Sequence, residues 1–145
     1  MESANLRRPV LVAFQGPTCS GKSTLARQLC EQHEGSITIS LDRFYHPFDR
    51  SQSSDPLAHN YDCPDALDWA SLLGFVDSLE KTGCGRVPDF DYVTGLRTGV
   101  EEISFPNLVV LEGLWPFVSS ALLTNAFAIQ YFAQSTITST SRANC

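Results

Sequence analysis

Eight consecutive residues, Gly16-Pro17-Thr18-Cys19-Ser20-Gly21-Lys22-Ser23, satisfy the pattern G-x-x-x-x-G-K-[ST] at every fixed position. The glycines let a backbone loop wrap closely round an anion, successive N–H groups can point inward, and a following helix N-terminus adds positive potential. These are the requirements of a loop that cradles nucleotide phosphates. Lys22 would reach the β- and γ-phosphates and Ser23 would ligate Mg²⁺, with Gly16, Thr18, Cys19, Ser20, Gly21 and Thr24 completing the nucleotide-binding set. At average residue frequencies such a match arises by chance in on the order of one in a few hundred chains of this length. The alternative, a Gly-rich turn with an exposed lysine, is weakened further by the flanking strand and helix.

Two acids could complete the chemistry. Glu112 ends the apolar run Leu108-Val109-Val110-Leu111, and Asp42 follows the strand-like residues 37–41. A buried strand delivers the residue after it to the sheet edge, where ligands bind. There Glu112 could organise Mg²⁺ or its waters, and Asp42 could accept a proton from a substrate hydroxyl attacking the γ-phosphate. Each also has a plainer reading: a solvated acid at a strand end for Glu112, a loop acid or helix cap for Asp42.

The elements that must position these groups alternate along the chain. Residues 10–15 are a short apolar run rich in β-branched and aromatic side chains, stopping at Gly16 and Pro17, which predicts a buried strand entering a turn. Over 22–33, Leu25, Ala26 and Leu29 recur at helical spacing. Residues 37–41 form a second strand, followed by a polar, loop-like stretch to about residue 59 with Pro47 and Pro56. Residues 65–79 place Trp69, Leu72, Leu73, Val76 and Leu79 on one helical stripe, with Pro64 near the start. Residues 87–103, in which Gly95 and Gly99 read as turns, form a hairpin or an irregular insertion. Residues 107–111 predict another strand and 126–132 a weaker one. Strands separated by helices imply parallel βαβ packing in an α/β fold. No internal repeat or linker divides residues 1–145, so a single domain is expected, with its core at 9–132 and an atypical Ser/Thr-rich tail at 133–145.

Composition narrows the partners. Hydrophobic residues at 43% against 18% charged are enough for an ordinary packed core. A net charge of -6 with only 10 Lys and Arg argues against nucleic-acid or anionic-membrane binding, so an anionic ligand would be held by backbone amides, a metal and one or two placed cations. The five cysteines, Cys19, Cys30, Cys63, Cys84 and Cys145, are odd in number and contain no Cys-x-x-Cys pair, which favours reduced thiols over a disulfide framework or zinc knuckle. With no apolar run of membrane-spanning length and no signal-peptide pattern at the N-terminus, a soluble, cytoplasmic protein is expected.

Several further segments resemble the uridine/cytidine kinase family. Asp42-Arg43-Phe44-Tyr45 is similar to its Asp-x-Phe-Tyr segment, and Asn60-Tyr61-Asp62-Cys63-Pro64-Asp65-Ala66-Leu67-Asp68 to its Asn-Phe-Asp-His-Pro-Asp-Ala-Phe-Asp segment. Residues 88–97 resemble its Pro-x-Tyr-Asp-Tyr-x-x-His-x-Arg stretch, and Leu111-Glu112-Gly113 its Glu-Gly element. The segments occur in the family's order, over about residues 10 to 120. The resemblance implies a P-loop NTPase fold, a parallel sheet flanked by helices, and ATP (or GTP) with Mg²⁺ as the phosphate donor. Lys22 and Asp42 would be catalytic, Asp42 as general base for a ribose 5'-hydroxyl. Asp62 would accept hydrogen bonds from the ribose hydroxyls, and Tyr45, Tyr61, Phe90, Tyr92 and Arg97 would complete the nucleoside site. Asp65, Pro64 and Asp68 read as helix-start residues.

Two departures from the family pattern bear on function. Its base-contacting His falls at Gly95 and a neighbouring Tyr at Phe90, so base preference is open and a nicotinamide-riboside-type kinase is an alternative. The family also continues through a further strand, an arginine-bearing lid and closing helices, so the fold is expected to be incomplete at the C-terminal end. Arg142 is the only cation of the tail and is given no lid role. A catalytically weak or inactive nucleotide-binding fragment therefore stays open beside the enzyme. A homo-oligomer is compatible with the sequence, which does not specify one.

Overall fold

The computed structural model describes residues 8–17, 20–51, 53–114 and, by backbone alone, 127–130. In chain order the elements are β1 (Val10–Gln15), α1 (Lys22–Gln32), β2 (Ser36–Ser40), α2 (Trp69–Thr82), β3 (Cys84–Asp91), β4 (Leu96–Ser104), β5 (Leu108–Gly113) and β6 (Phe127–Gln130). Four strands make a parallel sheet in the order β2-β5-β1-β6, while β3 and β4 form a separate antiparallel hairpin. The fold expected from the sequence, a parallel sheet flanked by helices, is the one present.

β5 is central, paired with β1 on one side and β2 on the other, and buried from Val109 to Gly113. A strand covered on both faces needs apolar side chains at successive positions, and Val109-Val110-Leu111 supplies them. Alternation sorts the side chains. Val12, Phe14 and Val110 pack with Ala26 of α1 on one face. Leu11, Ile39, Val109 and Leu111 pack on the other, with Leu72, Phe75, Val76 and Leu79 of α2 and with Val87 and Ile103 of the hairpin.

Local chemistry moves some boundaries. α2 begins at Trp69, not at residue 65, because Asp68 is its N-cap: the carboxylate accepts from Ser71 N at 3.0 Å and from Ser71 Oγ at 2.6 Å. Pro64 instead opens a short 3-10 turn, Pro64–Ala66. α2 ends at Gly83, whose φ of 74° is the left-handed conformation that suits glycine. The segment at 87–103, for which the sequence leaves two readings, is the β3–β4 hairpin. Gly95, at φ 67°, lies in its turn, but Gly99 lies inside β4, opposite Asp89. The strand expected near 126–132 is β6.

Two glycines give opposite expectations for stability. A Cβ on Gly85 would come within 2.6 Å of the Phe75 ring, where α2 packs on β3. Gly85→Ala should therefore destabilise the protein by about 1–3 kcal/mol through overpacking. Gly74 lies within α2, and nothing stands within 4 Å of the place a Cβ would take there. Gly74→Ala should stabilise by roughly 0.5–1 kcal/mol, because alanine loses less backbone entropy in a helix. Urea denaturation of both variants measures the two signs.

Candidate active site

The loop after β1 leaves the sheet tethered to the end of β5, with Gly16 N donating to Gly113 O at 3.3 Å. The Pro17 carbonyl accepts from Ser20 N and from Lys22 Nζ, each at 3.2 Å, so the lysine folds back along the loop. Gly21 takes φ 85° and turns the chain into α1, whose first return bond is Leu25 N to Gly21 O at 3.0 Å. Thr18 and Cys19 lie outside the described residues.

The N-terminus of α1 has no side-chain cap and no acid in its first turn, so its leading N–H groups have no side-chain acceptor among the described residues. Ser20 Oγ is buried with no hydrogen-bond partner among them. A cavity of about 300 Å³ lies against Ser20, Gly21, Lys22, Ser23 and Thr24. Unsatisfied donors, a left-handed glycine and an amine round one hollow fit a phosphate chain.

Register brings the two acids to the same edge. Phe14 of β1, Glu112 of β5 and Ser40 of β2 stand side by side, so their side chains share the face covered by α1. Glu112 is 7% exposed and is the one buried charged side chain among the described residues. Ser40 leads directly into a 3-10 turn, Leu41–Phe44, that carries Asp42. Tyr45, at the end of that turn, donates its hydroxyl to Asp42 Oδ1 at 3.1 Å.

Burial pushes the Asp42 carboxyl above the ordinary aspartate value, the Tyr45 hydrogen bond and the Lys22 charge oppose that rise, and Asp62 adds to it. Asp42 therefore feels both the lysine of the loop and the acid of the segment at 60–62. Tyr92, though half exposed, is pushed up, by the covering of its hydroxyl first and then by the charge of Asp42, with Glu112 contributing less. Tyr45 is raised as well, by burial and by Asp42.

Tyr45, Tyr61, Phe90 and Tyr92 come together through ring contacts. Tyr45 lies 4.7 Å from Tyr61 and 5.7 Å from Phe90, and Phe90 lies 5.4 Å from Tyr92, between ring centroids. Asp62 is exposed beside this cluster. Arg97 is differently engaged: its Nη2 donates to Asp68 Oδ2 at 2.9 Å and to Tyr45 O at 3.3 Å. Its guanidinium thus ties β4 to the cap of α2 and to the turn beside Asp42.

Three features are invisible in the sequence. Phe48 and His59 extend the aromatic cluster, His59 lying 4.7 Å from Tyr61 and 6.0 Å from Phe48. Arg43 bonds to the hairpin, through partners at least 45 residues away, a separation no local pattern reveals. The third is at Gly95, where a Cβ would stand 2.6 Å from Phe48 Cβ, so no side chain fits there while Phe48 occupies that space.

Magnesium fits this donor set. Among the described residues no three His, Cys, Asp or Glu side chains gather to hold a metal. Mg²⁺ does not require such a cage, since it is commonly held by one or two protein oxygens together with substrate phosphates and water. The Ser23 hydroxyl and the Glu112 carboxylate are oxygens of that kind. No helix among the described residues is long and apolar enough to cross a membrane.

Comparison with known proteins agrees with this fold. Residues 11–132 match the model of the Phosphoribulokinase / Uridine kinase family. A uridine kinase from Mycoplasma pneumoniae is 34% identical over 115 residues, which cover 77% of this chain and 54% of that protein. The chain spans about half the length of the curated bacterial relatives it matches. Among solved structures, one from Silicibacter sp. TM1040 named as a fructose transport system kinase has a TM-score of 0.70 at 21% identity, covering 88% of this chain and 66% of that one. Phosphoribulokinase from Rhodobacter spheroides has a TM-score of 0.59 at 19% identity, covering 86% and 50%. At these identities the two structures speak to the fold.

The Asp42–Tyr45 contact can be tested without any activity. Tyr45→Phe removes a hydrogen bond that favours the ionised carboxylate while leaving the burial in place, so the Asp42 pKa should rise further above the aspartate value. Carbon-detected NMR titration of the Asp42 carboxyl in both proteins measures the shift. An unchanged or lowered value would contradict the contact.

Proposed function

Given that the chain belongs to the phosphoribulokinase/uridine kinase family, we propose that it is the phosphate-gripping and acceptor-binding part of an ATP-dependent nucleoside kinase. The proposed reaction transfers the γ-phosphoryl group of ATP (or GTP) to the 5'-hydroxyl of a ribonucleoside of the uridine or cytidine type. The observation that carries this reading is the common register of Phe14, Glu112 and Ser40, which sets a buried carboxylate and the Asp42 turn beside the glycine-rich loop.

Each residue has a part in this proposal. The N–H groups of Gly21 to Thr24, with Gly16, Thr18, Cys19 and Ser20 in the same loop, would hold the phosphates, and Lys22 would neutralise charge on the oxygens of the transferring group. The Ser23 hydroxyl and Glu112 would hold Mg²⁺ or its waters. Bound Mg²⁺-nucleotide supplies the phosphoryl group and the cation that offsets its charge. Asp42 would take the proton of the acceptor hydroxyl on Oδ2, since Oδ1 already accepts from Tyr45. Asp62 would accept from the adjacent ribose hydroxyls, and Tyr45, Tyr61, Phe90 and Tyr92 would pack round the nucleoside. Arg97 would act on the acceptor through the Tyr45 backbone that it holds.

One observation favours a second acceptor. With no side chain at Gly95 and Phe48 filling that space, recognition of the acceptor ring would rest on aromatic faces more than on edge hydrogen bonds. That suits another heteroaromatic riboside, such as nicotinamide riboside, as well as a pyrimidine riboside.

Incubated with Mg²⁺-ATP and uridine, cytidine or nicotinamide riboside, the purified protein should form the nucleoside monophosphate. Asp42→Asn should lower kcat by about 10²–10⁴-fold, the usual worth of a positioned base, and leave Mg²⁺-ATP affinity unchanged. Lys22→Ala should instead weaken nucleotide binding. Because burial raises the Asp42 pKa, the wild-type rate should fall on the acid side through that raised value, where the base becomes protonated. Nucleotide binding with no turnover of any riboside would contradict the kinase reading and favour a nucleotide-binding protein without catalysis.

A further inference from the structure

Arg43 stands next to the proposed base, yet its side chain turns away from the phosphate loop and reaches the hairpin. Nε donates to Pro88 O at 2.8 Å, one terminal nitrogen to Asp89 Oδ1 at 2.7 Å and the other to Glu101 Oε2 at 2.7 Å. One planar guanidinium thus grips β3 by its backbone and a carboxylate, and β4 by a second carboxylate. Lysine has a single point charge and cannot reproduce such a fork. The Arg43 side chain is 21% exposed and its acidic partners are 52% and 54% exposed, so the cation is largely covered while the anions stay hydrated.

The grip falls at a singular place in the hairpin. Register shifts between Asp89 and Phe90, so that Asp89 pairs with Gly99 and Phe90 with Arg97. Such a bulge bends the strand and re-aims the residues beyond it. Gly99 leaves room for the Asp89 carboxylate, since a Cβ there would stand 3.0 Å from Asp89 Oδ2. Beyond the bulge lie Phe90, which meets Tyr45 and Tyr61 beside Asp42, Tyr92, which meets Phe90, and the turn whose Gly95 O accepts from Phe48 N. The hairpin belongs to no larger sheet among the described residues, so its orientation relative to Asp42 depends on core packing, on the bond from Phe48 N to Gly95 O and on side-chain ties of this kind.

We propose that Arg43 is a positioning residue for the acceptor: its three-way grip on the β3–β4 bulge holds Phe90 and Tyr92 at a fixed distance from the Asp42 carboxylate. The inference rests on the kinase reading for its catalytic consequence, but its structural content stands apart from that reading. The Arg43 side-chain bonds go to the hairpin, at Pro88, Asp89 and Glu101. Its loss should loosen the acceptor side and leave the nucleotide side as it was. Because its partners are half exposed, the grip should also weaken as salt screens the two ion pairs.

The test compares wild type with Arg43→Ala, Arg43→Lys and the double variant Asp89→Asn/Glu101→Gln, which changes only exposed side chains and so guards against a folding defect. The acceptor KM should rise about tenfold in Arg43→Ala, the order expected for losing a charge-assisted hydrogen-bond set, with kcat falling less and the Mg²⁺-ATP dissociation constant unchanged. Arg43→Lys should recover little of this, the double variant should follow the same pattern more weakly, and the wild-type KM should increase with salt. Hydrogen exchange provides an arm independent of turnover: amides of residues 90–97 should exchange about tenfold faster in Arg43→Ala, and those of β1 and β5 at the wild-type rate. Faster exchange at 90–97 in a protein that phosphorylates no riboside would uphold the grip and refute the kinase reading. Unchanged exchange there, full recovery by lysine, or an equal loss of ATP and acceptor affinity would overturn the proposal.

Discussion

Parallel pairing of β5 with both of its neighbours sets where everything else can be. A parallel strand cannot slide by one residue without turning its buried side chains toward the wrong layer. Val109 and Leu111 are fully buried against the α2 layer and Val110 against α1, so the register of β1, β5 and β2 is held by packing on both faces. With the strands locked, their carboxyl ends are locked as well. Gln15 and Gly113 finish level, Ser40 stands beside Glu112, and the phosphate loop, the buried acid and the Asp42 turn follow from those ends.

Charge at this edge is sparing and unequally hydrated. Glu112 is buried, and Asp42 is drawn far enough out of water to raise the cost of its ionised form, a cost that the nearby Lys22 partly offsets. An amine and open helix N–H groups share this edge with carboxylates, an arrangement suited to phosphate and a divalent cation, and with both bound each sign would have a partner. The hairpin is attached in part by two arginines acting in opposite directions: Arg43 reaches from the Asp42 turn into the hairpin, and Arg97 reaches back from β4 to Tyr45 and Asp68. Strand pairing thus fixes the loop at 16–24 and Glu112, while arginine bonds, one backbone bond and core packing hold the hairpin against the Asp42 turn.

Much of this is legible in the residues. The loop at 16–23 announces itself because phosphate binding restricts residue type at fixed spacing, and β1 and β5 announce themselves because a doubly covered strand must be apolar throughout. Placing Asp42 and Glu112 at strand ends needs only the strand boundaries. α2 starts with its apolar stripe at Trp69, four residues later than Pro64 suggests, because Asp68 caps it and the proline opens a separate 3-10 turn. The hairpin is ambiguous in sequence because β4 is mostly exposed and so lacks a buried alternation, and because Gly99, which reads as a turn, instead leaves room for a carboxylate. The ties made by Arg43 and Arg97 join residues 29 to 58 positions apart, and only the folded chain brings them together.

If the site works as proposed, one metal-nucleotide complex sits within reach of Ser23, Glu112 and Asp42 together. Paramagnetic relaxation tests this most directly, with Mn²⁺ replacing Mg²⁺ beside a non-hydrolysable ATP analogue and the broadening of assigned resonances read along the chain. Severe broadening is expected at residues 20–24, 40–42 and 111–113, with the outer ends of α2 and β3 unaffected. Sharp signals at Asp42 or Glu112 while the loop broadens, or broadening centred elsewhere, would contradict it.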